Sequence, residues 1–373
     1  MALALRGVVH HRTKGDIMTY NEAVKIGDTH LLPIILKLYG LEDYKISLIG
    51  SDGGWNVVYD CEKERACSKI TRISFLGNRS RQDLLGEVEY IRYLYKNGGS
   101  VPNVISSLNG NLLEEITHDN HKFFVCQFEK VKGKRFVDNN YQYREGVPIS
   151  EYYYNCGKVL GKLHQLSKEY APVHRRYSFF DKYNAKYIYN LIPASLPLLK
   201  VKLIELIKTL EGLDKNRESF GMVHFDYNDG NYHINFNDGQ ITVYDFDNSC
   251  LCWYMYDLAD LWGNGTGWVQ YEQDVDKRKK FMEDYFKTAL AGYRSETTID
   301  DSMLEKLSLF IRITDMEGIA DTFESMRNNG EEPECDEYLS YRIKCMEDDI
   351  PYRGFFHEIY SCDTPFEYEI RNI

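Results

Sequence analysis

Between Tyr44 and Phe128 the chain is laid out as short apolar runs divided by turn residues. The runs "YKISLIG", "WNVVYDC", "SKITRISF", "NVISSL" and "KFFVCQFE" are rich in β-branched and aromatic residues, so this stretch reads as a sheet. One interruption has another period. From Arg81 to Lys96, Leu84, Leu85, Val88, Ile91 and Tyr95 recur at helical spacing beside Asp83, Glu87 and Glu89, which predicts a helix. Asn109-Gly110 predicts a hairpin turn. Beyond Gly133 the helical period takes over: Tyr153, Cys156, Val159, Leu160, Leu163 and Leu166 form one stripe, and Leu199, Leu203, Leu206, Ile207 and Leu210 form another. Further helices are expected near 277–293 and 303–326. Among them "YHINFNDGQITVYDFD" reads as an isolated hairpin about Asn237-Asp238-Gly239. The expected fold class is therefore α+β and bilobed: a small β-rich N-lobe with one helix over 1–133, and a larger helical C-lobe containing the hairpin over 134–373. Residues 1–40 are either a flexible arm or a helix packed on the small lobe.

Composition narrows the function classes. Hydrophobic residues make up 43% and charged residues 27% of 373, a soluble globular balance that excludes collagen-like, disordered and membrane classes. A net charge of -12 argues against nucleic acid and anionic membrane as partners, because phosphate binding needs a basic face. The excess is one-sided: residues 1–133 hold 17 basic and 16 acidic side chains, and the remaining 28 and 41 lie in 134–373. That asymmetry fits either a solvated surface or a pocket that attracts cations. Nine scattered cysteines with no CxxC pair suggest reduced thiols. The first residues lack a signal-peptide core, and the longest apolar stretch, Leu31–Leu41, is broken by Pro33 and Lys37, so a cytoplasmic location is expected.

The richest chemistry lies in "MVHFDYNDGNYHINFNDGQITVYDFDNS", residues 222–249. Asp226 and Asn231 sit five apart on a loop, and Asp245 follows the hairpin. Phosphoryl transfer needs such a set: a carboxylate to orient an attacking hydroxyl and accept its proton, and hard oxygen ligands for a Mg²⁺ that bridges nucleotide phosphates. Protein-kinase catalysis uses an Asp, an Asn and a later Asp in the same order. Asp226 takes the place of the base, Asn231 and Asp245 those of the metal ligands. Asp238 and Gly239 read as turn formers, and His224 and His233 as packing histidines.

"HFDYNDGN", "VYDFDNS" and "WYMYDLAD" together resemble the aminoglycoside phosphotransferase and choline kinase family, small-molecule kinases with a protein-kinase-like fold. The resemblance runs from about Tyr44 to about Asp260 and implies the same roles for Asp226, Asn231 and Asp245. It also implies that Asp257 braces the catalytic loop from a helix start. In the N-lobe it implies an ATP or GTP site. Gly50, Gly53, Gly54 and Asn56 lie on a turn whose backbone N–H groups cover phosphates. A cation from the next strand, Lys69 or Arg72, is held by Glu87; Arg72 fits best, though many members have Lys there. "VCQFEKVKG" resembles the hinge, with Phe128 behind the adenine and the backbones of Glu129 and Val131 on its edge.

Only eleven residues, 246–256, separate Asp245 from Asp257, too few for the activation segment with which protein kinases hold a peptide. The favoured acceptor is a hydroxyl of a small molecule. Acidic runs at 331–337 and 346–349 suit an amine-bearing acceptor such as an aminoglycoside, amino sugar, choline-like compound or amino-acid alcohol, or else form a solvated face. Trp253, Tyr254, Trp262 and Trp268 either box a cation or pack in the core. Two other readings remain: a protein Ser/Thr kinase of the stress-response type, and a nucleotide-binding pseudokinase scaffold, against which the intact Asp226, Asn231 and Asp245 stand.

Overall fold

A computed structural model of the chain describes residues 18–49, 56–75 and 79–360. It opens with two helices, α1 (Tyr20–Ile26) and α2 (Leu32–Tyr39), joined through one π-helical turn, Gly27–Leu31. Thr19 and Glu22 form a reciprocal capping box that starts α1. The sheet follows: β1 (Lys45–Ile49), β2 (Asn56–Glu62), β3 (Lys69–Ser74), then α3 (Arg81–Lys96), β4 (Val104–Ile105), β5 (Glu114–His118) and β6 (His121–Glu129). All pairings are antiparallel, in the order β1-β2-β3-β6-β4 with β5 also on β6.

The continuous apolar run of β6 is explained by burial on both faces. Phe123 and Val125 join Val57, Tyr59 and Ile73 under Ala23, Leu31, Ile35 and Tyr39 of the leading helices. Cys126 and Phe128, on the opposite face, pack with Leu84, Val88 and Ile91 of α3. Of the two readings for residues 1–40, the packed helix thus holds for Tyr20–Tyr39. The Asn109-Gly110 turn differs from its expectation. It links β4 to β5, which pair with β6 and not with each other; the tight hairpin is β5–β6, turning at Asp119-Asn120 with φ 46° and 63°. Short polar Asp and Asn tolerate those left-handed angles, so the turn needs no glycine.

The larger lobe comprises α4 (Ser150–Glu169), α5 (Phe179–Lys182), α6 (Ala185–Leu191), α7 (Pro197–Glu211), β7 (Phe220–Val223), β8 (Tyr232–Ile234), β9 (Ile241–Val243), β10 (Cys250–Trp253), α8 (Met255–Thr266), α9 (Val275–Arg294), α10 (Asp301–Leu304), α11 (Leu307–Asn329) and α12 (Glu337–Glu347). Helices α4 and α9 run with backbones touching: a Cβ on Gly157 would strike Ala289 O, and one on Gly292 would strike Tyr154 O. Each glycine costs a helix about 1 kcal/mol relative to Ala, which the close packing offsets. Among the described residues no helix is long and apolar enough to cross a membrane.

Two ribbons carry the site, β7 with β10 and β8 with β9. Three-residue strands do not hold a hairpin in water by themselves. The β8–β9 hairpin is held by what surrounds it. Tyr232, Ile234, Ile241 and Val243 are all buried, each contributing about 1.5–3 kcal/mol. Ser100 accepts from Val243 N at 2.9 Å and donates through Oγ to Ile241 O at 2.6 Å; Lys134 exchanges both backbone hydrogen bonds with Ile234. The hairpin is thereby fastened to the loop after α3 and to the segment after β6.

Candidate active site

The loop after β7 is shaped by one buried acid at the start of α8. Asp257 accepts from His224 N at 2.7 Å and from Phe225 N at 2.8 Å, and His164 Nε2 lies 3.0 Å from its Oδ2. One turn further, Asp260 Oδ2 accepts from Tyr227 N at 3.3 Å. Both carboxylates face the loop because they lie three residues apart on one helix. The clamp holds Phe225 at φ 68°, an angle costly for a residue with a side chain, and so fixes the direction in which Asp226 leaves the backbone. Phe225 stacks on Tyr256 with centroids 4.1 Å apart.

Asp226 is buried, and its Oδ1 accepts from Asn228 Nδ2 at 2.6 Å. Asn231 Nδ2 donates to Asp226 O at 2.9 Å, committing the amide nitrogen and leaving Oδ1 as an acceptor. The hairpin register then sets Asp245 beside Asn231: Tyr244 N donates to Asn231 O at 2.9 Å, and His224 Nε2 meets Tyr244 O at 2.9 Å. Asp245 itself has φ 63° and ψ 61°, a second left-handed residue. Asp245 is exposed to solvent as a residue, although protein atoms crowd around its carboxyl. That enclosure first, then the negative charges of Asp247 and Asp226, pushes its pKa well above the carboxylate range, against the pull of Arg72. The structure therefore brings Asp226, Asn231 and Asp245 together.

Facing them, Arg72 on β3 meets Glu87 on α3 through two hydrogen bonds, Nη1 to Oε1 at 2.7 Å and Nη2 to Oε2 at 2.9 Å. Burial alone would raise the Glu87 pKa, but Arg72 and Arg176 hold it below the usual range. Arg72 Nε has no hydrogen-bond partner. Lys69 Nζ lies 5.1 Å over the Tyr44 ring, so of the two sequence candidates it is Arg72 that pairs with Glu87. Asn56 accepts from Ser74 Oγ at 2.6 Å and donates to Asp247 Oδ2 at 3.2 Å, joining the small lobe to the turn after Asp245. Arg79 reinforces that join, with Nη2 3.1 Å from Asn248 Oδ1 and Nη1 3.6 Å from Asp247 Oδ2. Sequence reasoning assigned no role to Asp247, Arg79 or Arg176; the Asp-x-Asp spacing of "YDFD" was the one available signal, for Asp247.

Phe128 sits at the end of β6 with the Arg72 guanidinium 5.6 Å from its ring centroid. Glu129 N donates to Asn103 O at 2.9 Å, and half-buried Val131 follows where the chain leaves the sheet. Gly50, Gly53 and Gly54 lie outside the described residues. Trp253 and Tyr254 are core residues, and Trp262 packs on Tyr352 and Phe356. Trp268 is half-buried, edge-on to Phe136 at 5.2 Å. The run 331–337 is largely exposed; Asp348 and Asp349 pair locally, with Lys344 at 2.7 Å and Arg312 at 2.8 Å. A cavity of about 550 Å³ between Tyr189–Ala194, Lys200 and the end of α11 shares no lining residue with the loop. Among the described residues, no three His, Cys, Asp or Glu side chains gather closely enough to hold a metal by themselves.

A small antiparallel lobe facing a helical lobe, with two acids and an amide at the cleft, is the architecture of a small-molecule kinase. The chain matches the phosphotransferase enzyme family over residues 47–296 and belongs to it. It is 27% identical to the amicoumacin kinase of Bacillus subtilis over 267 residues, 70% of this chain and 75% of that one. Its fold is similar to that of the amicoumacin kinase hAmiN in complex with AMP-PNP, Ca²⁺ and Ami: TM-score 0.73, 25% identity, 89% of this chain and 97% of that one. It is also similar in fold to a microcompartment-associated aminopropanol kinase, with TM-score 0.63, 16% identity, and coverage of 89% and 99%. The protein is a small-molecule phosphotransferase of this family.

Proposed function

We propose that the chain transfers the γ-phosphoryl group of ATP or GTP, with Mg²⁺, to a hydroxyl of a small amine-bearing molecule. The observation that carries this is the hairpin register, in which one hydrogen bond, Tyr244 N to Asn231 O, sets the Asn231 and Asp245 side chains on the same end of the β8–β9 ribbon beside Asp226. The residues suit the groups they would hold. Asn231 Oδ1 and the Asp245 carboxylate supply two hard oxygen ligands; a Mg²⁺ site of this kind is completed by phosphate and water, so a three-acid cage is not needed. The like charges around Asp245 favour a divalent cation. The Arg72 guanidinium, oriented by its two bonds to Glu87, brings the positive charge that nucleotide phosphates need. The hAmiN relative holds a nucleoside triphosphate analogue and a divalent cation.

In this reading Arg72, steadied by Glu87, grips the α/β-phosphates, with the backbone of Asn56 at the start of β2 beside them. The backbones of Glu129 and Val131 bind the purine edge in front of Phe128. The N-lobe, to residue 133, is the nucleotide-binding unit, and residues 134–373 bind the acceptor. A Mg²⁺ held by Asn231 and Asp245 would neutralise charge on the nucleotide's phosphates. Asp226 orients the acceptor hydroxyl and takes its proton as the new O–P bond forms and the bond to the β-phosphate bridging oxygen breaks, releasing the nucleoside diphosphate. A cationic acceptor is favoured by the acidic C-lobe, including exposed Asp229 and half-buried Asp260 beside the loop. An extended peptide is disfavoured, because residues 246–253 fold directly into a 3₁₀ turn and β10. A coupled assay of diphosphate release with amicoumacin, amino alcohols, amino sugars, aminoglycosides and choline-like compounds tests the reading: turnover of at least one class is expected. Transfer to a protein Ser or Thr with none of these accepted would overturn it.

A further inference from the structure

The segment His174–Ser178, between α4 and α5, threads along α3 and then meets β10. His174 Nδ1 lies 2.9 Å from Glu89 Oε1, and Leu251 N donates to Tyr177 O at 3.0 Å. The fit against α3 is tight: a Cβ on Gly86 would stand 2.9 Å from His174 O and 3.3 Å from Arg176 N. At its centre Arg176 is 2% exposed. Its Nε donates to Ser249 O at 2.6 Å, Nη2 to Asp247 O, and Nη1 to Asp83 O at 2.8 Å, with Glu87 Oε2 3.8 Å from Nη1.

A guanidinium taken out of water is costly unless both its charge and its donors are met. Glu87 meets the charge and three carbonyls take the donors. Those carbonyls belong to two places. Asp83 lies on α3, one turn before Glu87, whereas Asp247 and Ser249 belong to the turn that begins at Asp245. A planar, rigid fork with fixed donors thus ties α3 to that turn at a set spacing. Glu87 is shared, with Arg72 on one side and Arg176 on the other.

We propose that Arg176 is a positioning residue for phosphoryl transfer, setting the distance between the Arg72–Glu87 pair and the Asp245 turn. This rests on the reading of Arg72 and Asp245 given above. A nucleotide's phosphates must reach Arg72 while the cation they carry reaches Asp245. When the strut loosens, either contact can form but the two no longer reinforce each other, so nucleotide and cation binding uncouple.

The test is isothermal titration of AMP-PNP into the full chain, with and without Mg²⁺, for wild type, Arg176→Met, Gly86→Ala, Asp245→Asn and the Arg176→Met/Asp245→Asn double variant. In wild type Mg²⁺ tightens nucleotide binding. Arg176→Met loses about 10- to 100-fold of the affinity measured with Mg²⁺, as outer-shell supports of a metal site do, and keeps the metal-free affinity. Gly86→Ala, which keeps every charge and presses one methyl against His174 O, shifts binding the same way by less, and it decides the matter should Arg176→Met fail to fold. The double variant is no weaker than Asp245→Asn alone, because the coupling is already gone. Wild-type Mg²⁺ enhancement in folded Arg176→Met and in Gly86→Ala, or additive losses in the double variant, overturns the proposal. Full Mg²⁺ enhancement in Asp245→Asn instead overturns the assignment of Asp245, which is a separate failure.

Discussion

Asp257→Asn preserves side-chain volume and removes one acceptor. The carboxylate is fully buried and serves three donors, His224 N at 2.7 Å, Phe225 N at 2.8 Å and His164 Nε2 at 3.0 Å. An amide has one oxygen and an NH₂. Whichever way it turns, one loop N–H meets another N–H group. A buried donor stranded in this way costs about 1–3 kcal/mol, and the remaining bonds lose the strengthening that a charged acceptor gives. The expected destabilisation is about 3 kcal/mol, or a fall in Tm of roughly 4 °C for a chain of this size. With the clamp weakened, the cost of φ 68° at Phe225 is less well met, so the loop relaxes and Asp226 moves. Turnover should fall by about 10- to 100-fold, as it does when a group supporting an active residue is lost. Calorimetry and a coupled diphosphate-release assay measure the two effects on one sample. A variant that melts and turns over like wild type refutes the role of Asp257 as the clamp.

Three further outcomes follow from the packing and the charges. Asp245→Asn should melt higher than wild type in the presence of a chelator. Enclosure, Asp247 and Asp226 raise the folded-state pKa, so the ionised carboxylate opposes folding at neutral pH; a lower Tm would contradict this. Burial pulls the His164 imidazole below its ordinary value despite its bond to Asp257. Below about pH 6.5 the unfolded chain therefore binds a proton that the folded chain refuses, so stability falls on acidification, by up to about 1.4 kcal/mol per pH unit from this group. His164→Gln should flatten that slope in chelator-free denaturation measurements, and an unchanged slope would remove His164 as its source. Gly157→Ala should destabilise the chain by at least about 1–3 kcal/mol through overpacking of α4 on α9, read as a fall in denaturant midpoint, despite Ala's better helix propensity.

The sequence made periodic features legible. Residues 81–96 read as a helix because one apolar stripe is local, and the β8–β9 turn read as a hairpin because Asp238-Gly239 is local. Asp226, Asn231 and Asp245 were legible through their order, since a loop and a hairpin give that order a fixed geometry. What stayed hidden depends on contacts between distant segments. Asn109-Gly110 looked like the hairpin because turn chemistry does not reveal which strands will pair; β6 supplies the partner for both β4 and β5. Arg176 looked like any basic residue in "HRRY", since its meaning lies in three carbonyls about seventy to ninety positions away in the chain. Arg79 was hidden for the same reason, since its partner Asp247 lies far along the chain. The acidic runs at 331–337 and 346–349 show the reverse: conspicuous in sequence, they are largely solvated or locally paired in the fold.

The central claim is that Asp226 handles the acceptor's proton beside a cation-bound nucleotide. Its most direct test is Asp226→Asn, which keeps an oxygen for Asn228 Nδ2, measured for turnover and for AMP-PNP affinity in Mg²⁺ on the same preparation. The account predicts turnover lower by about 10²- to 10⁴-fold with nucleotide affinity unchanged. Turnover at the wild-type rate would contradict it.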